Sequence, residues 1–313
     1  MTYVLNRLLS ILVTLFLISL ITFAVTSILP GDVATMIMGT QSNPEALAGL
    51  RKTLGLTDPL VVQYAHWIGG MATGDWGHSL VFKAPIADLL IQKIKASSLI
   101  VVLSMLIALS CAVPLGVWAA VHRDRWQDGA SSTMALVGVS LPDFYWGIMM
   151  ILLFARTLGW FPSSGFVDPA ENLWGALTHA FLPSLALGLG LMAHLTRMTR
   201  STMTGILGQE FIRVGRAKGL SERTVVWRYA LANAIGPVMT VAGLQVGYLF
   251  GSIIVVETLF NYTGMGWLTY QALLNRDIPL IQATVFVIAA VVMLTNLVVD
   301  MLYLYADPRV RLE

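Results

Sequence analysis

Charge is what this chain has least of: only 12% of its 313 residues are Asp, Glu, Lys or Arg, against roughly 25% in an ordinary soluble domain. Net charge is +2, and the basic residues sit beside apolar runs instead of spreading over one face, so no nucleic-acid partner is expected. Cysteine occurs once, Cys111 inside an apolar run, which excludes a disulfide framework and a cysteine metal site and leaves the redox compartment open. The histidines at 66, 78, 122, 179 and 194 are dispersed with no pair four apart, which argues against a stable metal site. No G-x-x-x-x-G-K-[ST] sequence is present, so the chain holds no phosphate loop of its own. No G-x-S-x-G elbow is present either, and Ser140, Ser184 and Ser252 lie in runs better explained by packing than by nucleophilic catalysis.

What fills the chain instead is hydrocarbon: 57% of the residues are hydrophobic and the mean hydropathy is +0.75. A bilayer core demands about 20 consecutive apolar residues in a helix, because lipid offers no partner for backbone N–H and C=O groups. Six runs qualify, approximately 8–29, 97–121, 130–155, 177–196, 235–256 and 279–304. The first follows a single Arg7 and ends without a small-residue cleavage site, so it is expected to be retained as a span. The fourth has the weakest pattern, since His179, Pro183 and His194 fall within it and Gly188 and Gly190 loosen it, the two glycines being read as helix-packing residues.

Lys and Arg excess marks cytoplasmic loops. Arg7, Arg123, Arg125, Arg197, Arg200, Arg213, Arg216, Lys218, Arg223, Arg228, Arg309 and Arg311 all fall on one side of a six-span chain, which places both termini in the cytoplasm. The chain then divides into a first span at 1–29, an external region at 30–96, a core of five spans at 97–305 that includes a cytoplasmic segment at 197–234, and a tail at 306–313. Trp67, Trp76, Trp160, Trp174 and Trp267 are expected near the external ends of spans as an interfacial belt.

The cytoplasmic segment has its own pattern. Phe211, Ile212, Val214 and Ala217 recur at helical spacing, Gly219 suits a left-handed helix end, and Ser221 is a suitable N-cap for a second helix with Glu222 in its first turn. Arg213, Arg216 and Lys218 surround the apolar side, as suits a groove with an acidic rim on a soluble partner. A basic loop that only fixes topology and touches anionic lipid would carry the same charges.

Glu210-Phe211-Ile212-Arg213-Val214-Gly215-Arg216-Ala217-Lys218-Gly219-Leu220-Ser221, followed by Arg228, Ala230, Asn233, Ala234 and Pro237, resembles the coupling loop of ABC importer permeases, and in particular the peptide and nickel family. The resemblance continues in order through Pro30-Gly31-Asp32, Leu54-Gly55-Leu56-Thr57-Asp58-Pro59-Leu60 and Gly74-Asp75-Trp76-Gly77-His78-Ser79 in the external region. Gly138-Val139-Ser140-Leu141-Pro142-Asp143-Phe144, Leu182-Pro183-Ser184, Glu257-Thr258-Leu259-Phe260, Arg276-Asp277-Ile278-Pro279, Asn296-Leu297-Val298-Val299-Asp300 and Asp307-Pro308-Arg309 carry it to the end of the chain. Val33 and Thr263 stand where the family often has proline.

The resemblance implies an all-α membrane protein of the type I ABC importer permease class, with both termini inside, an external loop between spans 1 and 2, and a coupling helix between spans 4 and 5. It implies a non-catalytic translocation subunit in a bacterial cytoplasmic (inner) membrane. A second, homologous permease subunit would pair with it, two cytoplasmic ATPases would use ATP and Mg for it, and a periplasmic or lipid-anchored binding protein would deliver the substrate. Phe211, Ile212, Arg213, Arg216, Ala217, Lys218, Gly219 and Ser221 would form the contact with the ATPase. The cargo would be di- or oligopeptides, with a nickel chelate or metallophore, glutathione or an opine as alternatives within the family. A self-sufficient secondary transporter or channel is the alternative of another class, and it predicts inverted repeats or paired intramembrane charges. Asp143, Glu257 and Asp300, in or near spans, suit either a polar pathway or structural hydrogen bonds.

Overall fold

The computed structural model describes residues 2–28, 33–38, 43–53 and 55–306. Pro30-Gly31-Asp32, Leu54, Asp307-Pro308-Arg309 and Arg311 of the sequence expectations lie outside them. Among the described residues the chain is helical, without strands, and a single isolated bridge pairs His78 with Pro85. In chain order the helices are α1 (Thr2–Ile28), α2 (Val33–Met38), α3 (Pro44–Thr53), α4 (Leu60–Thr73), α5 (Ile86–Val121), α6 (Trp126–Ser140) and α7 (Asp143–Met150). There follow α8 (Leu173–Leu207), α9 (Glu210–Ala217), α10 (Glu222–Thr224), α11 (Leu231–Leu259), α12 (Met265–Leu274) and α13 (Ile278–Ala306). Two π-helical stretches, Ile151–Thr157 and Val225–Ala230, extend α7 and join α10 to α11.

Five helical stretches among the described residues are long and apolar enough to cross a membrane: Leu5–Ile28, Ile86–Val121, Leu173–Leu207, Glu222–Leu259 and Ile278–Met301. The third expected span, 130–155, is not one helix. It is the pair Trp126–Ser140 and Asp143–Thr157, bent by 98°. The cause is Pro142, which disfavours helical backbone at the residue before it; Leu141 is accordingly extended, at φ −105° and ψ 136°. The other helices outrun their apolar windows. α5 has 36 residues, about 54 Å at 1.5 Å per residue, against a hydrocarbon core of about 30 Å.

The chain divides into two compact units, Met1–Ala96 with Thr263–Met293 and Ser97–Tyr262 with Leu294–Glu313. In the first, α4 lies on α1. Tyr64 Oη and Ser19 Oγ are 2.8 Å apart, and the Phe23 ring meets both Tyr64 and Trp67. A core of Ile86, Leu90, Met265, Leu268, Leu280 and Ile281 gathers the start of α5, α12 and the start of α13. Fully buried Asp277 stitches this core: its Oδ2 accepts from Ser79 Oγ at 2.6 Å and Val81 N at 3.1 Å, while Oδ1 accepts from Leu280 N at 3.3 Å at the start of α13. Gln282 Nε2 donates to Thr26 Oγ1 at 2.7 Å and ties α13 to α1. Of the tryptophans expected in a belt, Trp160 and Trp174 are exposed, whereas Trp67, Trp76 and Trp267 pack on Phe23, Phe286 and Phe82.

In the second unit α8 is the central element. The fourth span, weakest in pattern, is continuous from Leu173 to Leu207. Pro183 lies within it, and the neighbouring Ser184 Oγ donates across to Ile100 O at 3.2 Å, tying α8 to α5. Ala180, Leu187, Leu191 and Leu195 are fully buried. Close approach explains two glycines: a Cβ at Gly116 of α5 would lie 2.8 Å from Thr196 O of α8, and one at Gly190 would lie 2.9 Å from Asp143 Oδ1. α6 is held to α8 by an ion pair, Arg200 Nε and Nη2 gripping the two oxygens of Asp128, the Nη2 contact at 2.6 Å. Asp128 also accepts from Asp124 N at 3.1 Å.

Candidate coupling segment and buried carboxylates

α9 is a two-turn helix whose Glu210 and Arg216 match the sign of its two ends. It is anchored by one side chain. Ile212, 1% exposed, packs among Val117, Ala120, Met203, Ile206, Val225 and Val226. The remaining sequence-expected residues, Phe211, Arg213, Arg216, Ala217, Lys218, Gly219 and Ser221, are exposed. Phe211 and Val214, at 39% and 51%, leave large apolar surface uncovered on this face.

The helix ends as the residue order anticipates. Gly219 takes φ +80°, a conformation that costs any other L-residue about 1 kcal/mol or more. Its N–H donates to Arg216 O at 2.9 Å while Leu220 N–H donates back to Gly215 O at 3.3 Å, the paired bonds of a Schellman cap. Ser221 Oγ then accepts from Thr224 N at 3.4 Å, an N-cap worth about 1 kcal/mol. Arg216 Nε and Nη2 reach Glu222 at 2.7 and 3.2 Å across the break; with 43% and 64% exposure the pair contributes at most about 1 kcal/mol. α9 is thus fixed at both ends and open on one side. It joins the end of α8 to the helical stretch Glu222–Leu259.

The three carboxylates proposed for the spans are not brought together. Asp143, 9% exposed, opens α7 and accepts from Tyr248 Oη of α11 at 3.0 Å. Glu257, fully buried near the end of α11, accepts from Ser97 Oγ of α5 at 2.5 Å. The adjoining Tyr262 is buried too, and burial, with Glu257 adding to it, pushes its phenol well above the ordinary tyrosine range. Asp300 lies half-buried in the last turns of α13. Among the described residues no group of three His, Cys, Asp or Glu side chains could hold a metal ion.

Two polar pairs escaped the sequence. Asp128 carried no role and Arg200 only a topological one, yet they form the ion pair of α6 and α8; Asp277 appeared only within a motif. For Asp277 a signal was present, since Asp two residues before Pro279 suits an N-cap. Asp128 and Arg200 are 72 residues apart and carry no local signature.

α8 and α11 flank a cleft of about 580 Å³ whose polar lining is His194, Arg197 and Ser201 from α8 and Gln245 and Tyr248 from α11.

Residues 112–312 match the family model of the binding-protein-dependent transport system inner membrane component, and residues 1–86 the model of the N-terminal part of such membrane components. The sequence is similar to the dipeptide transport system permease protein of Alkalihalophilus pseudofirmus, 36% identical over 331 residues and 99% of each chain. It is also similar to the glutathione transport system permease protein of Escherichia coli K12, 38% identical over 311 residues and 99% of each chain. Among solved structures, a chain of the methionine ABC transporter MetNI in inward-facing conformations matches with a TM-score of 0.61, covering 71% of this chain and 98% of that one. At 17% identity that likeness is one of fold.

Proposed function

The chain belongs to the family of binding-protein-dependent transport system inner membrane components and is the permease component of an ABC importer, and from that premise we propose that it carries short peptides inward, with α9 as the point where force enters. Both termini and α9 lie in the cytoplasm, following the Lys and Arg excess on that side. The region between α1 and α5 then faces outward and receives the loaded binding protein. A second homologous permease completes the pathway, and two partner ATPases hydrolyse Mg-bound ATP.

The observation that carries this is the state of α9. One buried isoleucine holds it to its own protein, while an exposed face of Phe211, Arg213, Val214, Arg216 and Lys218 remains, a combination suited to a groove with an acidic rim. Ile212 anchors the helix, and the exposed residues make the contact. Movement of α9 would pass along the chain into α8 on one side and α11 on the other. The relatives transport dipeptides and glutathione by name, which favours peptide cargo over a nickel chelate.

Reconstitution in proteoliposomes with the partner permease, both ATPases and binding protein tests the proposal. Uptake of a labelled dipeptide should require ATP and the binding protein together. Uptake by this chain alone, driven by an ion gradient without ATP, would establish the secondary-transporter alternative instead.

A further inference from the structure

The cleft between α8 and α11 has a chemistry that α9 does not use. His194, Arg197 and Ser201 recur at i, i+3 and i+7 and so share one face of α8, while Gln245 and Tyr248 share one face of α11. Arg200, on the next turn of α8, is held by Asp128, and Arg216 by Glu222. Arg197 differs. It is exposed, its Nη2 lies 3.3 Å from His194 Nδ1, and among the described residues no carboxylate pairs with it. Arg197 stands just past the apolar run 177–196 of α8, where its charge meets no hydrocarbon, and its planar fork matches a carboxylate.

The facing wall completes the pattern. Tyr248 gives its hydrogen to Asp143 Oδ2 at 3.0 Å, so toward the cleft the phenol oxygen can only accept, as the Gln245 carbonyl also can. The cation of the cleft therefore stands on α8, and α11 faces it with the oxygens of Tyr248 and Gln245. From His194 to Ser201 the α8 wall runs about 10 Å at 1.5 Å per residue, enough for an extended dipeptide of about 7 Å.

We propose that this cleft holds the cargo during passage, with Arg197 and the adjoining His194 binding a free carboxylate and Tyr248 and Gln245 accepting from an ammonium or amide N–H. The ligand class is a short peptide or a similar solute ending in a carboxylate, and a bare metal cation is disfavoured. This rests on the importer-permease role.

The test uses the complete reconstituted complex, with labelled dialanine and glutathione as probes at saturating binding protein. Arg197→Gln lowers ATP-driven uptake tenfold or more, and Arg197→Lys keeps at least a third of it. To separate charge from assembly, Arg197→Cys is made in a Cys111→Ser background and modified with a cationic or an anionic thiol reagent. The cationic adduct restores uptake and the anionic one does not. Wild-type uptake from Arg197→Gln, or equal uptake from the two adducts, overturns the cleft assignment and leaves the permease role standing. Absence of ATP-dependent uptake with the unaltered chain overturns the role itself.

Discussion

α1 is the most apolar of the spanning helices, yet only 22% of its most apolar window is buried; α8 is the least apolar, and 61% of its window is buried. In water the order would be reversed, since apolar surface there drives burial. In lipid, large apolar side chains such as Leu9 and Leu12, 60% and 65% exposed, can remain outside. Burial instead selects small residues that let helices approach and polar groups that find partners. α8 has both, in Ala180, Ala186 and Gly190 and in Ser184, Thr196 and Thr199. Thr196 and Thr199 each return their hydroxyl to a carbonyl four residues back at 2.7 Å. The helix that looks poorest as a membrane span is therefore the one that organises its unit, and it is also the one that runs into α9.

That contrast can be broken most severely at the ion pair. Asp128→Asn leaves the Arg200 guanidinium partly buried without its counter-charge, a loss of about 3 kcal/mol. It should appear as a fall of about 5 °C or more in the melting temperature of the purified protein. Adding Arg200→Gln should cost less than the sum of the two single changes; strict additivity would mean that the pair contributes no coupling.

Next comes the packing of α5 on α8. Gly116→Val drives a side chain toward Thr196 O and the Thr199 side chain and should cost about 2 kcal/mol by overpacking, measurable in the same thermal assay. Gly219→Val should cost about 1 kcal/mol more than Gly219→Asn, because asparagine tolerates the left-handed backbone and valine does not; circular dichroism melting of the two variants compares them. The smallest effect belongs to α1. Leu9→Ala should shift stability by less than about 0.5 kcal/mol, and a loss as large as that of Gly116→Val would show that α1 is packed in the way α8 is.

Helix α9 and its caps were legible because their signals are local. Gly219 two residues beyond Ala217, and Ser221 before Glu222, spell a helix end and a helix start within five residues. The spans were legible as apolar windows, but their true lengths were not, because Asp88, Lys93 and Lys95 continue the α5 helix outside its apolar part. Hydropathy alone runs 130–155 together as one span, and only the proline inside it, Pro142, marks where the chain bends by 98°. Contacts across long separations stayed invisible: Ser97 meets Glu257 from 160 residues away and Ser79 meets Asp277 from 198. Each of these residues is unremarkable alone, and only the packing of distant helices supplies its partner.

The proposed role of α9 is to admit force through its exposed face. Ala217 is exposed there, so Ala217→Trp adds bulk to that face without touching the core around Ile212. In the reconstituted complex, peptide uptake and the stimulation of ATP hydrolysis by loaded binding protein should both fall at least tenfold, with the melting temperature of the chain unchanged within about 2 °C. Wild-type uptake and stimulation from Ala217→Trp would mean that force does not enter through α9.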